Sequence, residues 1–419
     1  MIENTKPIFT MGNFREKAYL CGYFRYHDSR VITAPGWEAF PVPAADIAEY
    51  KKFYYAGFVD FAMSEDNGGT VGRFKHNVGH TVDIGGVPVM INHIDLYLMP
   101  YGIAIYRICV EITSDSLNDF TWAIFLMRET GKWDREDMRQ YSEMVLAPIR
   151  EAAASLGSDS SRIVDNGNKL KVFQIVTADN KEDYGQHIDT TLFEVATLSK
   201  IGACCEHNSD SHSEEYVQQI LKDNKLSIYN NWSSLALFDS FTIMGYCVKP
   251  WVLQTWENDY CGLIYIHSLF CKFYLFDLNT RFVEHPEDGE SLEAEYHEFM
   301  RTCTFQKISY NFLPGEIDES IDRALDISEE LQHLRQHIGY YNKQQAARSS
   351  DRMDKMLAFL AVVTLLSTIW DFSCLVNAMI PFTSLSLTET AGYRLVASLM
   401  VLMLTIVIIL MLRPRRSCN

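Results

Sequence analysis

Apolar residues are distributed along this chain in two ways. Through most of its length they come in short runs, some alternating with polar residues and some repeating every three to four. Near the C-terminus they merge into two long blocks, residues 356–380 and 395–412. The first block is broken by one charge, Asp371, and the second carries none. A helix over the second would be about 27 Å long, close to the ~30 Å hydrocarbon core of a bilayer. The pattern therefore predicts two membrane-spanning helices joined by a short outer loop, 381–394. Lys343, Arg348, Arg352 and Lys355 precede the first span, and Arg413, Arg415 and Arg416 follow the second. Between them stands only Arg394 at the edge, with Glu389 nearby. Basic residues stay on the cytoplasmic side, so a multi-pass protein of the inner (plasma) membrane with both termini cytoplasmic is expected.

The remaining chain reads as an α/β body. Residues 89–98 and 103–112 are β-rich runs joined by Met99, Pro100, Tyr101 and Gly102, a strong turn signal. On the second run Ala104, Tyr106, Ile108, Val110 and Ile112 share one face, the period of a half-buried strand. Residues 120–127 read as a further strand of that meander. Residues 134–156 read as a helix stopped by Gly157, 169–177 and 235–246 as strands, and 206–215 as the least ordered stretch. Residues 259–279 are apolar and aromatic, but His267, Lys272 and Asp277 point to a buried helix and not to a third span. Residues 286–289 break the chain, and 290–301 form an acidic helix.

Pro314 opens a segment in which, from Glu316 to Ile380, only Gly339 and no proline interrupts helical character, which predicts one helix from 316 to 380, about 65 residues and about 98 Å long. Ile317, Ala324, Ile327, Leu331, Leu334, Ile338 and Tyr341 fall on heptad a and d positions. In a lone chain they would expose an apolar stripe, so a self-associating stalk is expected. The expected fold is an α/β (mixed sheet with helices) cytosolic domain over 1–286 and a helical stalk over 287–355. Transmembrane helices over 356–380 and 395–412 and a tail over 413–419 complete it.

Composition narrows the function. A net charge of −17 argues against nucleic acid, whose phosphates need a basic face. An apolar content of 47% and an aromatic content of 13% exclude a disordered chain. The ten cysteines are expected to be reduced thiols in a cytoplasmic body, many of them core residues. No Ser-His-Asp arrangement, dinucleotide fingerprint or paired-carboxylate motif stands out, so the chain does not read as an enzyme.

Several residues could carry chemistry. Thr364, Ser367, Asp371 and Cys374 share one side of the first span, within about 80° of one another. They are candidate pore-lining residues, with Asp371 offering a ring of negative charge in an oligomer; alternatively Asp371 caps a span ending at Trp370. The Gly-rich stretch 66–72, followed by Arg73, Lys75 and His76, could cradle a phosphate or simply close a hairpin; it lacks the spacing of a P-loop. Asn230, Asn231 and Trp232 could receive an adenine by stacking or form a plain turn before a strand. Cys204, Cys205, His207 and His212 lack the spacer that zinc sites use.

A large body, a long stalk running into a first span, a short outer loop, a second span and a basic tail together resemble the CorA superfamily of divalent-cation channels. The resemblance covers residues 314–419 by architecture, and no motif extends it to the body. It implies a homopentamer whose stalk and first span line a pore. The family's Gly-Met-Asn mark is replaced here by Cys374, Leu375, Val376, Asn377, Ala378, Met379 and Ile380. Members without that mark resemble the CorA-type effectors associated with type III CRISPR systems. That likeness implies a channel or effector in antiviral defence, gated when a nucleotide messenger, such as a conjugate of S-adenosylmethionine and ATP, binds the body. Arg73, Lys75, His76 and Trp232 are the expected ligand contacts. A constitutive transporter of a divalent cation of the magnesium type, and a membrane-tethered sensor without a pore, are the alternatives.

Overall fold

In the computed structural model the described residues are 14–27, 31–65, 69–112, 116–133, 135–158, 169–185, 187–206 and 212–379. The expected second span, outer loop and tail lie outside them, as do residues 207–211 of the stretch 206–215. The chain forms two compact units, Met1–Arg335 and Gln336–Asn419.

The first unit is built on one nine-stranded sheet. Its strands are β1 (Phe14–Arg25), β2 (Trp37–Ala39), β3 (Gly72–Ile84), β4 (Val87–Leu98), β5 (Ile103–Ile112), β6 (Lys171–Ala178), β7 (Lys225–Tyr229), β8 (Trp232–Ala236) and β9 (Ser240–Tyr246). Their order is β2-β3-β4-β5-β1-β6-β9-β8-β7. Neighbours run antiparallel except β6 and β9, which are parallel. The β4–β5 turn needs its glycine: Gly102 has φ +74°, and a Cβ there would meet the Tyr26 carbonyl oxygen at 2.6 Å. On β5 the expected apolar face is buried. Ile103, Ile105 and Cys109 on its other face are buried as well, because helices cover both sides of the sheet.

The helices are α1 (Ala44–Tyr50), α2 (Ala56–Ala62), α3 (Leu117–Arg128), α4 (Arg139–Ser155), α5 (Ile188–Thr197), α6 (Ala203–Glu206), α7 (Glu214–Asn224), α8 (Pro250–Thr255), α9 (Ile266–Glu284), α10 (Gly289–Thr302), α11 (Phe312–Ala324) and α12 (Ile327–Met379). Side chains of α3, α4, α5 and α7 build the main core with one sheet face. A π-helical stretch, Trp256–Tyr265, joins α8 to α9 on the other face. There Tyr23 stacks on Phe273 at 4.1 Å, and Phe173 meets Tyr265 edge-on at 5.3 Å. Helix α10 packs outside α9 through Phe299 and Tyr274, 4.4 Å apart.

Three expectations change. Residues 120–127 belong to α3, not to a strand. Phe120, Ala123, Ile124 and Met127 repeat with a helical period and all are buried. The long helix from 316 is not continuous: it stops at Ala324 and restarts at Ile327, with Asp326 in the left-handed region at φ +56°. Aspartate tolerates that conformation better than most residues, so a break forms with no glycine or proline present. Three of the five heptad positions of this unit are consumed within the chain: Ile317, Ile327 and Leu334 are buried, while Ala324 and Leu331 are half-buried. Those three buried positions are not part of a free stripe.

Two helical segments are long and apolar enough to cross a membrane, Pro250–Glu284 and Ile327–Asp371. The most apolar stretch of the first is 89% buried, as expected for a core helix, and none of the second is buried. In the second unit, taken by itself, Met356, Leu357, Phe359, Leu365, Leu366 and Trp370 of α12 are all exposed.

Candidate functional site

The β8–β9 hairpin closes through the two-residue turn Phe238-Asp239. The Leu237 amide donates to the Ser240 carbonyl at 2.7 Å, and the Ser240 amide donates back at 3.2 Å. That turn sets an aromatic ring and a carboxylate at the end of the sheet where β6 and β9 begin. Lys171, the first residue of β6, sits beneath it. Its ammonium donates to the Phe238 carbonyl at 2.8 Å and to Asp239 Oδ1 at 3.0 Å, and lies 3.5 Å from the centre of the Phe238 ring. Arg128, at the end of α3, places Nη2 3.7 Å from Asp239 Oδ2, beyond hydrogen-bond length. Its Nε is buried with no acceptor among the described residues. Burial pushes the Lys171 ammonium below its ordinary value. Asp239 pulls it back up, while Lys272 and Arg128 repel it.

These groups open onto a cleft of about 530 Å³ lined by Arg128, His212, Tyr216, Phe238, Asp239 and Arg323, among others. Asp326, at the break between α11 and α12, is also on its wall. A second cavity of about 920 Å³ shares Arg323 and Asp326 with it. That cavity is acidic, presenting Glu316, Asp318, Glu319, Asp322 and Glu329. Burial raises the Asp318 and Asp322 carboxyls, and mutual repulsion adds to the rise for Asp318. Just beyond the break, Glu330 accepts from Lys272 Nζ at 2.9 Å and from Asn279 Nδ2 at 2.9 Å, fastening the first turn of α12 to α9.

The residues expected to hold a ligand do not form one site. Arg73 and Lys75 point to one side of β3, where Arg73 donates to the Ala62 carbonyl and lies 5.7 Å from the Tyr97 ring centre. His76 points to the other side, against Trp37 at 5.4 Å. Trp232 is on β8, stacked on Tyr229 at 5.6 Å beside a cavity of only about 120 Å³. Five strands separate β3 from β8, about 29 Å at the usual strand spacing. No single small ligand spans that distance. The loop residues 66–68 lie outside the described residues, as do His207 and the side chain of Cys205. His212 rests edge-on against Phe193 at 5.2 Å.

Thr364, Ser367 and Asp371 are all exposed on α12, with the Thr364 hydroxyl donating to the Leu360 carbonyl at 2.7 Å. The helix continues past Asp371 to Met379, so Asp371 does not cap its end. The side chain of Cys374 is outside the described residues.

Arg128, Phe238, Asp239 and Arg323 were not legible as site residues. They come from three separate segments, and one signal was present: an aromatic residue in a two-residue turn, where Gly or Asn is the usual choice. No family model, no curated protein and no solved structure matches this chain.

Proposed function

We propose that this chain is a membrane effector of CorA-like build. On this reading its cytosolic body gates a cation pathway in response to an adenine-nucleotide messenger of the type III CRISPR kind. The observation that carries the reading is the apolar stretch of α12, none of which is buried. So large an unpartnered apolar surface is costly in water and at home in lipid. Thr364, Ser367 and Asp371 supply a polar side to the same helix, which supports a water-facing lining. A carboxylate at that depth needs water or a partner, and in a ring of copies it favours cations. The 530 Å³ cleft supports a ligand of small-molecule size, with cations and aromatic rings on its wall. With Ile317, Ile327 and Leu334 of the stalk heptad buried in the body, the homopentamer implied by the resemblance rests mainly on the membrane helices.

A second reading, a constitutive divalent-cation transporter, is favoured by the acidic 920 Å³ cavity. Purified protein in vesicles holding a cation-sensitive dye separates them. The gated reading expects flux only after the messenger is added, and a several-fold loss of it in Asp371→Asn with assembly intact. Flux with magnesium alone and no nucleotide response gives the answer to the transporter. Nucleotide binding without any flux leaves a tethered sensor that has no pore.

A further inference from the structure

We infer that Arg128, backed by Lys171, forms an oxyanion seat in the 530 Å³ cleft, and that Asp239 fills this seat when the cleft is empty. The inference rests on the reading that the body is the ligand-binding part of the chain, and it names the chemistry of the ligand. Arg128, Lys171 and Lys272 are 8%, 6% and 8% exposed, so three cations are buried around one hairpin turn. Among the described residues two carboxylates answer them, Asp239 and Glu330. Counting the acidic and basic side chains Arg323 and Asp326, which also line the cleft, leaves the same excess of one cation.

The carboxylate that serves Arg128 serves it poorly. Asp239 gives Lys171 a 3.0 Å hydrogen bond and stands 3.7 Å from Arg128, whose Nε has no acceptor among the described residues. Arg128 lines the cleft, its Nε is buried behind the wall, and its guanidinium suits a planar, multidentate acceptor there, such as a phosphoryl or carboxylate group. Asp239 is the most exposed of these partners, with a side chain 37% accessible, so it can give way without opening the core. Phe238 and Tyr216, 47% and 51% exposed, are on the wall of the same cleft. They suit a planar ring attached to the oxyanion. The ligand class is therefore a phosphorylated planar heterocycle, held by its anion at Arg128 and by its ring at Phe238 and Tyr216.

Titration calorimetry on the full chain in detergent, with AMP, pyrophosphate and adenosine as probes, tests this. Wild type should bind AMP most tightly, pyrophosphate less so and adenosine weakly. Asp239→Asn removes the internal anion and should tighten AMP by about tenfold, the scale of one charge-assisted bond. Arg128→Met should abolish binding of both anions. Phe238→Ala removes a ring that is 47% exposed and should weaken AMP while sparing pyrophosphate, with a thermal melt of the variant checking that the loss of its contact with Lys171 leaves the body folded. Adenosine binding as well as AMP, or Asp239→Asn binding AMP no better than wild type, overturns the seat. Vesicle flux on the same wild-type preparation keeps the two readings apart. Tight AMP binding with no flux sinks the channel and keeps the seat, whereas gated flux indifferent to Asp239→Asn and Phe238→Ala sinks the seat alone.

Discussion

The segments Pro250–Glu284 and Ile327–Asp371 are comparably apolar and both long enough to span a bilayer, yet 89% of the most apolar stretch of one is buried and none of the other. Composition does not separate them; their neighbours do. Over the sheet, the charged groups and the histidine buried in the first segment have found partners. His267 donates from Nε2 to the Cys303 carbonyl at 2.9 Å, Lys272 reaches Glu330 at 2.9 Å, and Asp277 takes Arg25 at 2.5 Å. The aromatic rings of that segment interlock with Tyr23, Phe173 and Phe299. Among the described residues the apolar part of α12 has no such company. An apolar helix is a core element when the fold supplies both apolar contact and polar partners for its exceptions, and a membrane element when it supplies neither.

The comparison can be broken most sharply by truncating one ring in each helix. Phe270→Ala should destabilise the body by about 3–5 kcal/mol, the usual loss for a fully buried phenylalanine, whereas Phe359→Ala in α12 should shift its melting by less than about 0.5 kcal/mol. Equal effects in detergent melts would mean that α12 is part of a protein core. Acid should separate the helices next. Burial holds the His267 imidazole down at about 4, with the Cys303 carbonyl opposing that drop. Because this folded value lies below that of the unfolded chain, the unfolded state takes up the proton first. The body should therefore keep full stability above pH ~6.5 and lose roughly 3 kcal/mol of it by pH ~4. His267→Gln should flatten that dependence; an unaltered profile would show that other groups set it.

A charge placed in the exposed helix gives an effect of similar size by another route. Leu365→Arg should cost about 2.5–3.5 kcal/mol of membrane insertion and move protein from the membrane to the soluble or aggregated fraction. The melting of the body should not change. Retention of the variant in membranes would remove the main support for α12 as a span. The smallest effect is expected at the junction. Asp326→Gly relieves a left-handed backbone at φ +56° and should stabilise the body by about 0.5–1 kcal/mol. A loss of stability would show that the aspartate side chain matters more than its backbone strain.

How far the sequence could be read depended on the range of the physics involved. The β4–β5 hairpin was legible because alternation and a Pro-Tyr-Gly turn are local facts. The buried character of α9 was legible because His267, Lys272 and Asp277 argue against lipid wherever they sit. The strand expected over 120–127 failed because a short apolar run fits either period, and packing against β1 and β4 decided for helix. The break at Asp326 was missed because aspartate in the left-handed region leaves little mark in the sequence. The cleft was out of reach for a different reason. Arg128, Tyr216, Phe238 and Arg323 lie far apart in the chain, and only the finished sheet brings them to one wall.

The likeness of the two helices also bears on how the protein is made. Synthesis runs from the N-terminus, and Pro250–Glu284 leaves the ribosome well before the apolar part of α12. Until the sheet has closed over it, the insertion machinery meets a hydrophobic segment hard to distinguish from a genuine span. His267, Lys272 and Asp277 then act as guards during biogenesis, because each makes lipid a poor destination while the body is still forming. A mutation that merely slows closure of the sheet would threaten more than stability: it would lengthen the interval in which a core helix can be delivered to the membrane by mistake.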